Sequence, residues 1–377
     1  MKILYHHRIA SKDGQFVHID EIVSALKELG HEVSVIGPDV AESGDFGHDG
    51  GFVTKLKKKL PKAVYELMEL GYSAIAAFKL IKQIKKDRPD VIYERYNLYQ
   101  PAGIVISKIF KIPLILEVNA PLKEERERFS GGLGLPSFAK AVENFTWRGA
   151  DHVLPVTDVL AEHLRKVNVP ENRITVVHNG IRKQVLERFE SRDVHEKTNV
   201  TIGFVGFMHL TCGVEKAIEV LARNQEKDLR LVCVGNGNVV DELKAKAESL
   251  GVADKVEFTG LLGREDVFER VKDFDITLQP AVTEYASPLK MFEYMVAKSL
   301  IVAPRMKNIE EILDDGTAIL FDEGEFETAL EEAVQNFAMH SAKRDAAFER
   351  LKERGFIWQQ NAERIVSIAQ SYIDNRK

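Results

Sequence analysis

Residues Thr283–Ala297 read T-E-Y-A-S-P-L-K-M-F-E-Y-M-V-A, and what this stretch does decides the fold. It follows the apolar run Phe274–Pro280 (F-D-I-T-L-Q-P), whose alternation predicts a buried strand. Leu289, Met291, Phe292, Tyr294 and Met295 then recur at the spacing of a helix packed on a sheet. Pro288 suits a first helical turn, and Ser287 before it suits a side-chain cap. A loop that turns into a helix at the carboxyl edge of a parallel sheet offers unpaired backbone N–H groups to an anion. Lys290 adds a cation in the first turn. Glu293, one turn on, can accept hydrogen bonds from a diol, so the stretch suits a nucleotide sugar. The same residues also fit an ordinary capped helix with a solvated Lys–Glu pair.

Outward from this stretch the alternation of strand and helix continues in both directions. Strands are predicted at Val200–Gly206, Leu229–Gly235, Lys255–Gly260 and Leu300–Ala303, with helices beginning near Val214, Val239, Arg264 and Pro288. The turns G-F-M-H-L-T-C-G (Gly206–Gly213) and G-N-G-N (Gly235–Asn238) are glycine-rich strand ends able to surround a phosphate or base. The first half reads the same way. Lys2–His6 is a strand, Phe16–Leu29 a helix closed by Gly30, and Gly30–Gly37 opens a second strand, a βαβ start that implies a parallel sheet. Further strands fall at Asp90–Tyr96, Pro113–Asn119 and Asp151–Thr157. Their far ends place Glu94, Arg95, Glu117, Asn119, Thr157 and Asp158 where ligands bind in open α/β sheets. The loop after the first strand holds Gly14 but no G-x-G-x-x-G, which argues against a redox dinucleotide. Arg182–Lys197 reads as a charged linker, and Ile357–Ile373 as a last helix that folds back on the first domain.

At 377 residues the chain suits two domains, expected at 1–185 and 186–356, with 357–377 returning to the first. A net charge of −6 gives no sign of a nucleic-acid binder. Cys212 and Cys233 lie in or beside apolar runs, which fits a reducing compartment rather than a disulfide or zinc framework. The opening M-K-I-L-Y-H-H is too short in apolar residues for a signal peptide, and no run approaches the roughly 20 residues that span a bilayer. A cytoplasmic protein is expected. Gly51–Lys86 stands apart, with nine lysines against two glutamates among many large apolar residues. Lys57, Lys58, Lys59 and Lys62 in particular suggest a surface that meets anionic lipid on the inner face of the plasma membrane. A scaffold helix with a solvated lysine face is the plain alternative.

Taken together, the order and spacing of several pieces resemble the retaining family 4 glycosyltransferases of the GT-B fold. The pieces are G-Q-F-V-H-I-D-E-I-V-S-A-L-K-E-L-G-H-E-V, V-V-H-N-G-I, V-G-F-M-H-L-T-C-G-V-E, V-G-N-G, V-E-F-T-G-L-L and S-P-L-K-M-F-E-Y-M-V-A. The resemblance implies two Rossmann-like domains facing across a cleft. It also implies transfer of a sugar from a nucleotide-diphosphate donor, with retention and without a metal or other cofactor. The acceptor expected, in keeping with the lysine-rich Gly51–Lys86 segment, is a glycan or lipid-linked glycan of cell-surface polysaccharide or glycoconjugate synthesis.

Carried over residue by residue, Glu293 corresponds to the glutamate that binds the donor ribose. The backbone N–H groups near Leu289 and Lys290 hold the diphosphate, Gly14 and Gly206 face the phosphates, Gly260 and Leu261 border the base, and Tyr285, Ser287 and Pro288 complete the donor side. Four positions depart from the family pattern. Its first glutamate falls on Tyr285, beside Glu284. Its arginine and lysine fall on Phe207 and Cys212, leaving His209 and Lys290 as the nearest cations, and its active-site histidine falls on Asn119. Asn119 can hydrogen-bond a sugar but cannot act as a base at neutral pH, which suits a mechanism in which the leaving phosphate takes the acceptor proton. The expected catalytic set is therefore Asn119, Lys290 and Glu293. Two other classes remain open at this point. One is a sugar-nucleotide epimerase using Glu94, Glu117 and His178 as acid and base, and the other is a non-catalytic subunit with a degraded phosphate site.

Overall fold

The structure, a computed structural model, describes residues 1–10, 14–38, 60–190, 199–210 and 212–375. The chain forms two compact units. Met1–His178, Tyr285–Ser287 and Trp358–Lys377 make the first, and Asn179–Glu284 with Pro288–Ile357 the second. Lys57, Lys58 and Lys59 lie outside the described residues.

The first unit is built on a five-stranded parallel sheet of order β2-β1-β3-β4-β5. Its strands are β1 (Lys2–His6), β2 (Glu32–Ile36), β3 (Val91–Arg95), β4 (Leu114–Val118) and β5 (His152–Pro155). Strands β3 and β4 are buried along their whole length, as strands covered on both faces must be, which is why they read as nearly continuous apolar runs. Register places His6 opposite Glu94 and Arg95 opposite Glu117. Because side chains alternate along a strand, the two pairs emerge on opposite faces of the sheet. The last helix, Trp358–Asp374, belongs to this unit. The Trp358 ring meets His18 edge-on at 5.0 Å, and Asn361 donates to the His178 carbonyl at 2.8 Å.

The second unit is built on a six-stranded parallel sheet of order β11-β10-β9-β6-β7-β8. Its strands are β6 (Val200–Val205), β7 (Leu229–Val234), β8 (Val256–Gly260), β9 (Ile276–Leu278), β10 (Leu300–Pro304) and β11 (Ile319–Phe321). The sequence reading missed β11, whose three residues are too few to show a period. The chain runs outward from β6 through β7 to β8, then returns to β9 and runs the other way. Neighbouring β6 and β9 therefore flank a topological switch point, where an open sheet leaves a crevice beyond its carboxyl edge.

Two expectations are corrected here. Arg182–Lys197 is not simply a linker, because Lys183–Glu190 is a helix that buries Val185, Leu186 and Phe189 in the core of the second unit. That packing moves the start of the unit from 186 to Asn179. Ser287 does not hold the cap position either: the cap of the helix Leu289–Val296 is Pro288, which has no side-chain acceptor for the first N–H groups.

Candidate functional site

Beyond the carboxyl edge of β6 and β9 two helices begin, Val214–Arg223 after the Gly206–Gly213 loop and Leu289–Val296 after Pro288, each packed in a different apolar cluster of the unit. One buried tyrosine fixes this corner. The Val205 N–H donates to the Tyr294 hydroxyl at 3.0 Å, and that hydroxyl donates to the Leu278 carbonyl at 3.4 Å. The last residues of β6 and β9 and the second turn of the helix are thereby tied together. Helical spacing marks Tyr294 only as an apolar contact, since periodicity reports burial and not the partner of a hydroxyl.

Lys290 stands at the centre. Its Nζ lies 4.4 Å from the Phe204 ring centroid and 3.3 Å from where a Cβ on Gly206 would be. The ammonium from the β9 side thus reaches across the switch point to the loop after β6, the loop that lacks the arginine and lysine expected there. Burial pushes its pKa down to about 8, partly opposed by Cys212 and Glu293, which favour the charged form. Phe204 forms a cation–π platform beneath it. Glu293 follows Lys290 by three residues, on the same side of the helix and half-buried. A cation held down by burial beside free helical N–H groups is an arrangement that gains from an incoming anion.

Around it the loops are stitched to one another. Gly206 N donates to Val234 O at 2.9 Å, Met208 N to Asn236 O at 2.8 Å, and Gly235 N to Gly260 O at 3.0 Å. The G-N-G-N glycines serve this packing directly: a Cβ on Gly235 would run into the Gly206 carbonyl oxygen, and one on Gly237 into that of Met208. Gly235 also sits at φ +127°, where side chains are strained. Phe207, His209 and Leu261 are exposed along this rim, and Cys212 is buried with a free thiol.

The first unit gathers a second polar group. Glu117 accepts from Arg95 Nη1 at 2.6 Å, from the Tyr93 hydroxyl at 2.9 Å and from the Asn119 amide, and pairs with His18 Nε2 at 3.0 Å. Burial pushes the Glu117 carboxyl up, but His18 and Arg95 more than reverse it and hold it well below the usual carboxylate range. His6 Nδ1 and Glu94 form a buried pair at 2.6 Å. Glu94 is therefore taken up by His6, and Glu117 by Arg95 and His18, within the unit. Asn119 remains half-buried at the end of β4. A carboxylate only accepts, so the amide nitrogen must face Glu117, and the carbonyl oxygen is left to accept from a hydroxyl. The structure adds His6 and His18 to this group; in the sequence they are ordinary positions of a strand and a helix, with no signal marking them.

The remaining expected residues are dispersed. Gly14 opens the exposed start of the helix Gly14–Glu28. Tyr285 and Ser287 belong to the first unit. Tyr285 is buried in that unit's apolar cluster, its carbonyl accepts from Thr157 Oγ1 at 2.9 Å, and its side chain hydrogen-bonds Glu125. Its hydroxyl is thus occupied internally rather than turned to a ribose. The His178 carbonyl is held by Asn361.

Residues 12–185 match the family described as Glycosyltransferase Family 4, and residues 199–339 match Glycosyl transferases group 1. The chain is 26% identical to the GDP-mannose-dependent alpha-mannosyltransferase of Mycolicibacterium smegmatis, over 83% of this chain and 82% of that one. It is 23% identical to the D-inositol 3-phosphate glycosyltransferase of an Arthrobacter strain, over 97% and 92%. Among solved structures, HepE of Anabaena in complex with UDP shares the fold with a TM-score of 0.72 at 16% identity, over 98% of this chain and 100% of that one.

Proposed function

The chain belongs to the family 4 glycosyltransferases, GT-B enzymes that use a nucleotide sugar, and from that premise we propose that it transfers a hexose to a glycan or lipid-linked glycan with retention at the anomeric carbon. The observation that carries the reading is Lys290, an ammonium 3.3 Å from the Cβ position of Gly206 at the start of a helix. In this reading the donor diphosphate lies at the switch point of the second unit, against Lys290, the N–H groups of Leu289 and Lys290, and the Gly206 loop. Glu293 accepts from the ribose hydroxyls, and Gly260 and Leu261 border the base.

During transfer the bond between the anomeric carbon and the diphosphate oxygen breaks, and the acceptor hydroxyl oxygen bonds to the same face of the sugar. The hydroxyl proton passes to the departing phosphate oxygen. Positive charge at the sugar and negative charge on the diphosphate grow together. Donors already aimed at the diphosphate are worth up to several kcal/mol there because they need no reorganisation. Asn119 in the first unit accepts from a sugar hydroxyl and performs no proton transfer. The epimerase alternative loses ground, because Glu94 and Glu117 are buried in internal pairs. We assign the enzyme to cell-surface polysaccharide or glycoconjugate synthesis in the cytoplasm, a compartment in keeping with two free, buried cysteines.

Calorimetric titration with UDP, GDP and their sugars, followed by NMR of the product's anomeric configuration, tests the reading. Binding of one donor and a product with the donor's configuration is expected. An inverted product overturns retention. Interconversion of the nucleotide sugar without acceptor would make it an epimerase, and no affinity for any nucleotide a non-catalytic subunit.

A further inference from the structure

Helix Lys62–Lys86 is turned inside out with respect to charge. Its only carboxylates, Glu66 and Glu69, are buried. Glu66 accepts from the Tyr99 hydroxyl at 3.0 Å and from the N–H groups of Gly134 and Leu135 at 2.6 and 2.8 Å. Glu69 holds Arg126 with both carboxylate oxygens and lies 3.6 Å from Arg8. The outer face carries the greasy residues instead: Phe78 is 68% exposed, and Val64, Leu67, Met68 and Ile75 are each about half exposed. Exposed Lys79, Lys82, Lys85 and Lys86 continue the same face through the last two turns. At 3.6 residues per turn all of these fall within an arc of about 120°. Lys62, at the other end, donates to the Gly131 carbonyl and so helps seat the helix.

A solvated helix normally shows the reverse arrangement, with charge outward and apolar residues toward the core. A face that is apolar over several turns, ends in lysines and holds no acid matches an interface with both hydrocarbon and negative charge. We propose that the outer face of Lys62–Lys86 is a docking surface for an anionic lipid bilayer, with Leu67, Ile75 and Phe78 entering the headgroup region and Lys79, Lys82 and Lys86 meeting lipid phosphates. Among the described residues no helix is long and apolar enough to cross a membrane, so the contact is a peripheral one. An acidic protein partner fits less well, because the charge is confined to one end of the stripe. The proposal is independent of the donor site.

The test is flotation of the whole chain with phosphatidylcholine vesicles, with and without phosphatidylglycerol, at low and high salt. Wild type is expected to float only with the anionic vesicles and to be released by salt. The triple variant Lys79→Gln, Lys82→Gln, Lys86→Gln is expected to partition at least about tenfold less, and Leu67→Ser, Ile75→Ser, Phe78→Ser likewise. Both should keep the wild-type melting temperature and UDP or GDP affinity, since the changed side chains are exposed and outside the second unit. Wild type that stays unbound at low salt overturns the proposal, as does vesicle binding unchanged in both triple variants. A wild-type dimer that Phe78→Ser splits, seen by analytical ultracentrifugation, would make this face a self-association surface and overturn it too. Loss of nucleotide affinity with intact flotation would count against the transferase reading alone.

Discussion

If Lys290 meets the donor diphosphate, binding must take up protons in a pH window set by its lowered pKa. In the free protein its pKa is about 8. The ammonium is then about 90% formed at pH 7 and about 10% at pH 9. A diphosphate against it stabilises the charged form and raises the pKa again. The apparent affinity for UDP or GDP, whichever binds, should fall about tenfold from pH 7 to pH 9. At pH 8 binding should consume about half a proton per site, read from calorimetric enthalpies in HEPES and Tris, which differ in ionisation heat. The sign for stability is opposite. The folded pKa lies below the unfolded value of 10.5, so the buried charge weakens the ligand-free fold below pH 8, and the penalty lifts as pH rises toward 10.5. Lys290→Met should therefore abolish proton uptake and weaken nucleotide binding while stabilising the ligand-free protein at pH 7 by up to about 3 kcal/mol. Lys290→Arg keeps its charge to pH 9 and should flatten the pH profile without losing the ligand. Enthalpies for wild type that are equal in both buffers at pH 8, or the same pH slope in Lys290→Met, would refute the reasoning.

Three further outcomes follow from the geometry. Glu293→Ala should lower nucleoside-diphosphate affinity roughly tenfold to a hundredfold, the worth of charge-assisted hydrogen bonds to a diol; unchanged calorimetric affinity would remove it from the ribose site. Gly235→Ala should cost about 1–3 kcal/mol in denaturant unfolding, because it combines a positive φ with a collision against the Gly206 carbonyl, and wild-type stability would mean the loops part easily. Glu117→Gln should cost about 3–5 kcal/mol near neutral pH by leaving Arg95 and His18 without their counter-charge. Its folded pKa is depressed, so the difference from wild type should persist down to the ordinary carboxylate range and shrink only as pH falls below about 4; a gap that closes already at pH 6 would contradict the assignment.

Much of this protein was legible from its residues in order. Apolar runs, glycines at strand ends and helical periods are local, and they specified two series of alternating strands and helices, the parallel class of sheet, and the loop–helix at Pro288–Glu293. What lay beyond reach was whatever depends on pairing between distant segments. Nothing local states that β9 lies beside β6, yet that adjacency brings Lys290 over Phe204 and Gly206, next to the loop that carries Phe207 and Cys212. Register is equally non-local: a slip of β1 by one residue would set His6 against Tyr93 instead of Glu94, on the face of the sheet opposite Glu94. Tyr285 sits two residues from Ser287 in a stretch read as donor site, but the apolar cluster of the first unit claims its ring. Helix Lys62–Lys86 shows the limit most plainly. Apolar residues occupy both of its faces, so periodicity could not choose between them. Only the partners of Glu66 and Glu69, about 60 residues away in the chain, decided that its acids point inward and that its apolar, lysine-tipped face points out.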